Sequence, residues 1–114
     1  MDWNLIKEKY PKVFAKCKVW IESTKGTFLQ TDPRDLYDFF DENGIYIYAC
    51  GAMSEGHIKK FWYAMDFLEE PSEYGEYVDT RTEAEEQAFM KALEILEEKL
   101  RILNQIIKKR NKTI

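Results

Sequence analysis

Polar and apolar residues follow three different rhythms along this chain, and each rhythm predicts a different element. From Thr80 to Arg110, the apolar positions Phe89, Leu93, Leu96, Leu100, Leu103 and Ile107 fall at alternating intervals of four and three. That spacing is the seam of a helix built to lie along another helix. Thr82 with Glu85 supplies a capping box at its start. Ala84, Ala88 and Ala92, four apart, give it a smooth strip that can rest on a sheet.

The second rhythm is a strict alternation. Ile45 to Met53 mixes β-branched and aromatic residues at every other position and predicts a strand. Ser54-Glu55-Gly56 is the turn, and His57 to Leu68 is the returning strand of a hairpin. With an even loop that sets Ser54 opposite His57, one face carries Ile45, Ile47, Ala49, Ile58, Trp62 and Ala64. The other carries Tyr46, Tyr48, Cys50, Phe61, Tyr63 and Met65. A three-residue loop changes that pairing. The small residues Ala49 and Ala64 assign the long helix to the first face. The second face, with Tyr46, Tyr48, Phe61 and Tyr63, is a candidate surface for a ligand or partner unless the N-terminal helices cover it. Tyr77-Val78-Asp79 suggests a brief third strand.

The third rhythm is helical and short. Trp3, Ile6 and Tyr10 share one side of a helix over residues 3–10 that Asp2 can cap. Pro11 opens a second helix to about Glu22, with Val13, Phe14, Cys17, Trp20 and Ile21 on its buried side. Ser23 to Thr31 reads as a loop. Asp32-Pro33-Arg34-Asp35 is a helix start, Leu36, Tyr37, Phe39 and Phe40 form its buried face, and Asn43-Gly44 ends it. The pattern as a whole predicts a single α+β domain. Residues 1–44 are helical, 45–79 form a hairpin or three-stranded sheet, 80–110 form the long helix, and 111–114 are a tail.

Length sharpens this picture. A helix from Thr82 to Arg110 spans about 43 Å at 1.5 Å per residue, whereas a nine-residue strand spans about 30 Å. The sheet therefore leaves an overhang from roughly Leu96 onward. The seam residues Leu96, Leu100, Leu103 and Ile107 are the candidate self-association surface, and a homodimer is the expected assembly.

Composition bounds the alternatives. The chain has 114 residues, of which 45% are hydrophobic and 33% charged, as in a globular domain. No apolar run approaches the roughly 18 residues of a membrane span, and the N-terminus has no secretory pattern. The expectation is a cytoplasmic protein with Cys17 and Cys50 reduced and buried. The net charge of −4 is unevenly spread: residues 69–98 hold eleven acids and two bases, while residues 99–114 hold six bases and no acid. Acids at the start of the long helix and bases at its end suit the helix dipole.

Candidate chemistry is sparse. There is no phosphate-binding glycine loop, paired CxxC or nucleophile elbow. His57 is the one histidine, beside the turn, and the many neighbouring carboxylates lack the mixed His–acid set of a metal site. No catalytic, cofactor or metal residue is expected. Lys108, Lys109, Arg110 and Lys112, with Lys59 and Lys60, are candidate phosphate contacts, although nucleic acid is not the expected partner. Glu69, Glu70, Glu73 and Glu76 could instead mimic nucleic acid toward a basic partner.

Two stretches carry resemblances. Thr80-Arg81-Thr82-Glu83-Ala84-Glu85 through Ala88, Ala92, Leu93 and Leu96 resembles the closing strand and helix of double-stranded-RNA-binding domains. In that family, basic residues at the helix start hold phosphates; here Arg81 keeps that character, while Thr82 and Glu85 stand in the other two places. The run Pro33 to Ile45 and the run Arg81 to Leu100 resemble small bacterial proteins, of gut bacteria and their prophages or mobile elements, to which no activity is attached. That likeness implies a shared fold and a small accessory protein rather than a metabolic enzyme. A non-catalytic, self-associating interaction module is the leading expectation. A nucleic-acid-binding accessory protein, an acidic mimic, and a ligand binder or enzyme using the aromatic face are its rivals.

Overall fold

A computed structural model describes residues 2–26, 28, 32–54 and 56–112; the side chains of Met53, Ser54, His57, Ile58, Lys59 and Lys112 lie outside what is described. Among these residues, four helices and a three-stranded antiparallel sheet form an α+β domain. The order is α1 (Trp3–Lys9), α2 (Pro11–Lys25), α3 (Pro33–Glu42), β1 (Ile45–Ser54), β2 (His57–Phe67), β3 (Glu73–Tyr74) and α4 (Arg81–Lys112).

Local chemistry sets most of these limits. Asp2 caps α1 by accepting from the Leu5 N–H. Asp32 and Asp35 cap α3 reciprocally, and Pro33 occupies its first turn. Asn43 donates its side-chain amide to the Phe39 carbonyl, and Gly44, at φ 76°, turns the chain into β1. Helix α2 runs three residues past Glu22. Ser23 and Thr24 donate their hydroxyls to the carbonyls of Val19 and Trp20, so these polar residues stay helical. The cap of α4 is Thr80 rather than Thr82: its hydroxyl accepts from the Glu83 N–H. Residues 80–83 carry the same Thr-x-x-Glu spacing two positions earlier.

The hairpin register corrects the expected faces. Ser54 does oppose His57. A β-bulge follows at once: Met53 opposes Ile58, but Ala52 opposes Lys60, leaving Lys59 as the extra residue on β2. Beyond the bulge, every β2 side chain is therefore on the opposite face from the one expected. Ile45, Ile47 and Ala49 share their face with Phe61, Tyr63, Met65 and Phe67. Tyr46, Tyr48 and Cys50 share theirs with Trp62, Ala64 and Asp66. The proposed set Tyr46, Tyr48, Phe61 and Tyr63 is thus split between the two sides of the sheet.

Helix α4 covers the first of these faces. It runs alongside β2, with the Arg81 guanidinium 5.9 Å from the Phe61 ring and the Lys99 ammonium 5.8 Å from the Phe67 ring. Ala84, Ala88 and Ala92 are fully buried and let the helix approach the strands closely. Ile45, Ile47, Tyr63 and Met65 meet Phe89, Leu93 and Leu96 in one core. Helices α2 and α3 complete it with Val13, Cys17, Ile21, Phe39 and Phe40. The N-terminal helices therefore pack on the same side as α4 and do not cover the other face. The third strand is Glu73–Tyr74 rather than residues 77–79; Val78 adds a two-way bridge to Phe61.

The body ends before the helix does. At 32 residues, α4 is about 48 Å long. The radius of gyration is 16.4 Å, against about 13 Å for a compact chain of this length. No helix of the described residues is long and apolar enough to cross a membrane.

Candidate interaction surfaces

The overhang begins later than its stripe. Leu96 is only 6% exposed and belongs to the core, and Leu100 is partly buried against it. These two are not free for a partner, because the body reaches about one turn farther along α4 than strand length alone implies. The element that extends it is the start of α2. From Arg101 to Asn111, every residue is exposed. Ile102, Leu103, Ile106 and Ile107 lie there at 46–51% exposure, forming two adjacent rows on one side. Half-exposed isoleucine and leucine side chains on a bare helix are the reverse of ordinary surface chemistry.

Glu97 stands at the point where the helix leaves the body, and sequence reasoning missed it. It is 4% exposed. Its carboxylate accepts from the Val13 N–H at 2.8 Å and the Lys12 N–H at 3.2 Å. Helix α2 opens on Tyr10-Pro11, which offers no side-chain cap. Its first free N–H groups need an acceptor from elsewhere, and a carboxylate also suits the positive end of the helix. The missing cap before Pro11 was the available signal.

The second surface is the uncovered sheet face. None of its described residues is buried. Tyr48, Ala64 and Tyr74 form one row across the three strands, and Trp62 meets Tyr77 edge to face with centroids 5.7 Å apart. Tyr48, Tyr74 and Tyr77 are more than half exposed. Lys60 pairs with Asp79, which holds that carboxyl below its usual range, and Ser72 donates to Asp66. The charged residues Lys60 and Asp66 on this side of β2 mark it as the solvent face. Cys50 is half-buried on this face, whereas Cys17 is in the core; both are free thiols.

A third feature is an open groove of about 740 Å³ between α4 and the edge strand, lined by Tyr10, Tyr63, Tyr74, Gly75, Met90 and Lys91 among others. Burial, Glu73 and Glu94 raise the Tyr63 phenol against the pull of Lys91. Among the described residues, no group of three or more His, Cys, Asp or Glu side chains could hold a metal ion. Of the candidate phosphate contacts, Lys108, Lys109 and Arg110 are exposed on the overhang. Consecutive helical positions point about 100° apart, so these three do not form one row. The acidic decoy set is also divided: Glu70 pairs with Lys99 at 3.6 Å, while Glu73 sits on the covered side of the sheet opposite Met65.

Comparison of the chain with protein-family models, curated proteins and solved structures finds no match.

Proposed function

We propose that this protein is a non-catalytic interaction module that associates with a second copy of itself through the protruding end of α4. The observation that carries this reading is the bare apolar stripe of Ile102, Leu103, Ile106 and Ile107. Covering the exposed half of four such side chains is worth roughly 3–6 kcal/mol per copy, at 1.5–3 kcal/mol for each full side chain. Association itself costs about 4–15 kcal/mol. A helix pair built from the stripe alone is therefore a weak, concentration-dependent dimer. The test is solution mass by light scattering over a range of concentrations. The whole chain should approach a dimer, and Leu103→Asp with Ile107→Asp should yield a folded monomer with unchanged circular dichroism. A whole chain that stays monomeric at high concentration would sink the proposal.

A second reading rests on the open sheet face. Tyr48, Trp62, Tyr74 and Tyr77 offer flat aromatic surface to a planar or cationic ligand. A thermal-shift screen of aromatic cations should give hits that Tyr48→Ser with Trp62→Ser abolishes. Hits that survive both substitutions would place binding elsewhere.

A further inference from the structure

Of the residues that line the groove between α4 and the edge strand, only Tyr63 is buried, at 8% exposure. Its backbone carbonyl accepts from the Gly75 N–H, and Gly75 leaves no room for a Cβ beside its ring, so the ring is held in place. Among the described residues, none hydrogen-bonds to its hydroxyl. No fully buried side-chain oxygen of the described residues lacks a partner, so the phenol oxygen is the part of Tyr63 that reaches the groove. Polar groups set this deep are ordinarily satisfied within the protein. Here the partner has to come from the groove.

The walls around this hydroxyl are acidic. Glu83, Glu86, Met90 and Glu94 succeed one another at three- and four-residue intervals, so they form one stripe about 16 Å long on α4. With Glu76, the groove holds four carboxylates against two bases, Lys9 and Lys91, a net charge of −2, and Lys91 is itself engaged by Glu94 at 3.8 Å. The same balance is felt at the phenol, where burial first, then Glu73 and Glu94, hold the proton on against the pull of Lys91. A neutral phenol keeps its oxygen lone pairs available to a donor. Tyr10, Tyr74 and Met90 add aromatic and apolar surface that suits a cation on an aliphatic stem. An anionic ligand meets the wrong charge here, and an uncharged apolar one would desolvate carboxylates without pairing them.

We infer that this groove binds an extended aliphatic polyamine, with a central ammonium group donating to the Tyr63 hydroxyl, its outer ammonium groups paired with Glu83 or Glu86 at one end and Glu94 at the other, and its methylene stem along Tyr10 and Met90. The site uses no residue of the α4 overhang and neither Tyr48 nor Trp62 of the open sheet face. It therefore stands apart from both readings above.

Calorimetric titration of the full chain with spermidine, a linear triamine, tests this. Butylamine is the singly charged control and magnesium chloride the compact divalent one. At about 50 mM salt, spermidine should bind at least about tenfold more tightly than either. Tyr63→Phe keeps the ring and removes only the hydroxyl; it should weaken binding about tenfold, as the loss of one hydrogen bond to a charged group does. Glu86→Gln with Glu94→Gln, both at exposed positions, should also weaken it about tenfold and flatten its salt dependence. Tyr48→Ser with Trp62→Ser, on the far side of the sheet, should leave it within about twofold. Unchanged circular dichroism confirms that each variant is folded. Spermidine bound no more tightly than butylamine, or bound equally well by Tyr63→Phe, overturns the site. So does binding that only the open-face substitutions abolish. A tetralysine peptide that binds where spermidine does not would make the groove a peptide site and likewise overturn the inference.

Discussion

Replacing Glu97 with alanine should destabilise the fold out of proportion to the size of the change. The carboxylate accepts two backbone N–H groups at 2.8 and 3.2 Å, and the residue that supplies the shorter bond, Val13, is fully buried. Hydrogen bonds to a charged acceptor contribute about 1.5–3 kcal/mol each, and a buried N–H left without an acceptor bears the full desolvation cost. The Lys12 bond is only partly buried and counts for less. A loss of about 3 kcal/mol follows, out of the 5–15 kcal/mol typical of a whole domain. At roughly 4 °C per kcal/mol for this size, the melting temperature should fall by about 12 °C. Glu97→Gln keeps one acceptor oxygen in place and should lose about half as much. Glu94→Ala is the control, an exposed partner of Lys91 at 3.8 Å, and should change stability by under about 0.5 kcal/mol. Urea unfolding followed by far-ultraviolet circular dichroism measures all three, with an unchanged m-value confirming the same transition. A Glu97→Ala loss no larger than that of Glu94→Ala would show that water caps α2 and that the reasoning is wrong.

Two further outcomes are expected. Gly75 lies so close to the Tyr63 ring that an added Cβ would fall 2.3 Å from two of its carbons; Gly75→Ala should cost about 1–3 kcal/mol by overpacking, and an unchanged urea midpoint would mean the edge strand can simply shift. The two thiols should separate: Cys50 should react with a thiol-specific reagent at pH 8, while Cys17 should stay protected until unfolding. Burial pushes the Cys17 thiol from 9.0 up to about 12. The folded state therefore holds its proton where the unfolded state has lost it. Stability should fall by up to about 1.4 kcal/mol per pH unit between pH 9 and 12, and Cys17→Ala should flatten that slope.

The elements of the fold were largely readable from the chain because their signals are local. Asp32-Pro33, Asn43-Gly44 and the seam from Phe89 to Leu103 each announce themselves within one or two turns. The sheet faces were not readable from alternation alone, since a single extra residue reverses everything beyond it. The adjacent pair Lys59-Lys60 interrupts the alternation at the place where the bulge occurs. Comparing the two sides of β2 also gives the answer: Phe61, Tyr63, Met65 and Phe67 against Lys60, Trp62, Ala64 and Asp66. Joining the apolar side to Ile45 and Ile47 requires one odd residue, in the loop or as a bulge, and this chain uses the bulge. The misplaced start of the overhang has a different cause. Leu96 is core because α2 reaches Glu97, a contact across 84 residues of sequence that no periodicity reports.

That same contact orders events as the chain is made. The first two helices emerge from the ribosome well before the group that completes the start of α2, which follows Val13 by 84 residues. The helix that covers Ile45, Ile47, Tyr63 and Met65 also follows the whole sheet, through Phe89, Leu93 and Leu96. Until then, the apolar side of the nascent sheet is covered only in part, by the earlier helices α2 and α3. The core therefore closes only once residue 97 is available, with a large loop to close at that moment. Ribosome-bound chains halted before residue 97 should remain open to protease along α2, whereas released chains that carry all of α4 should not. The interval in between is when this sequence most needs protection from its neighbours.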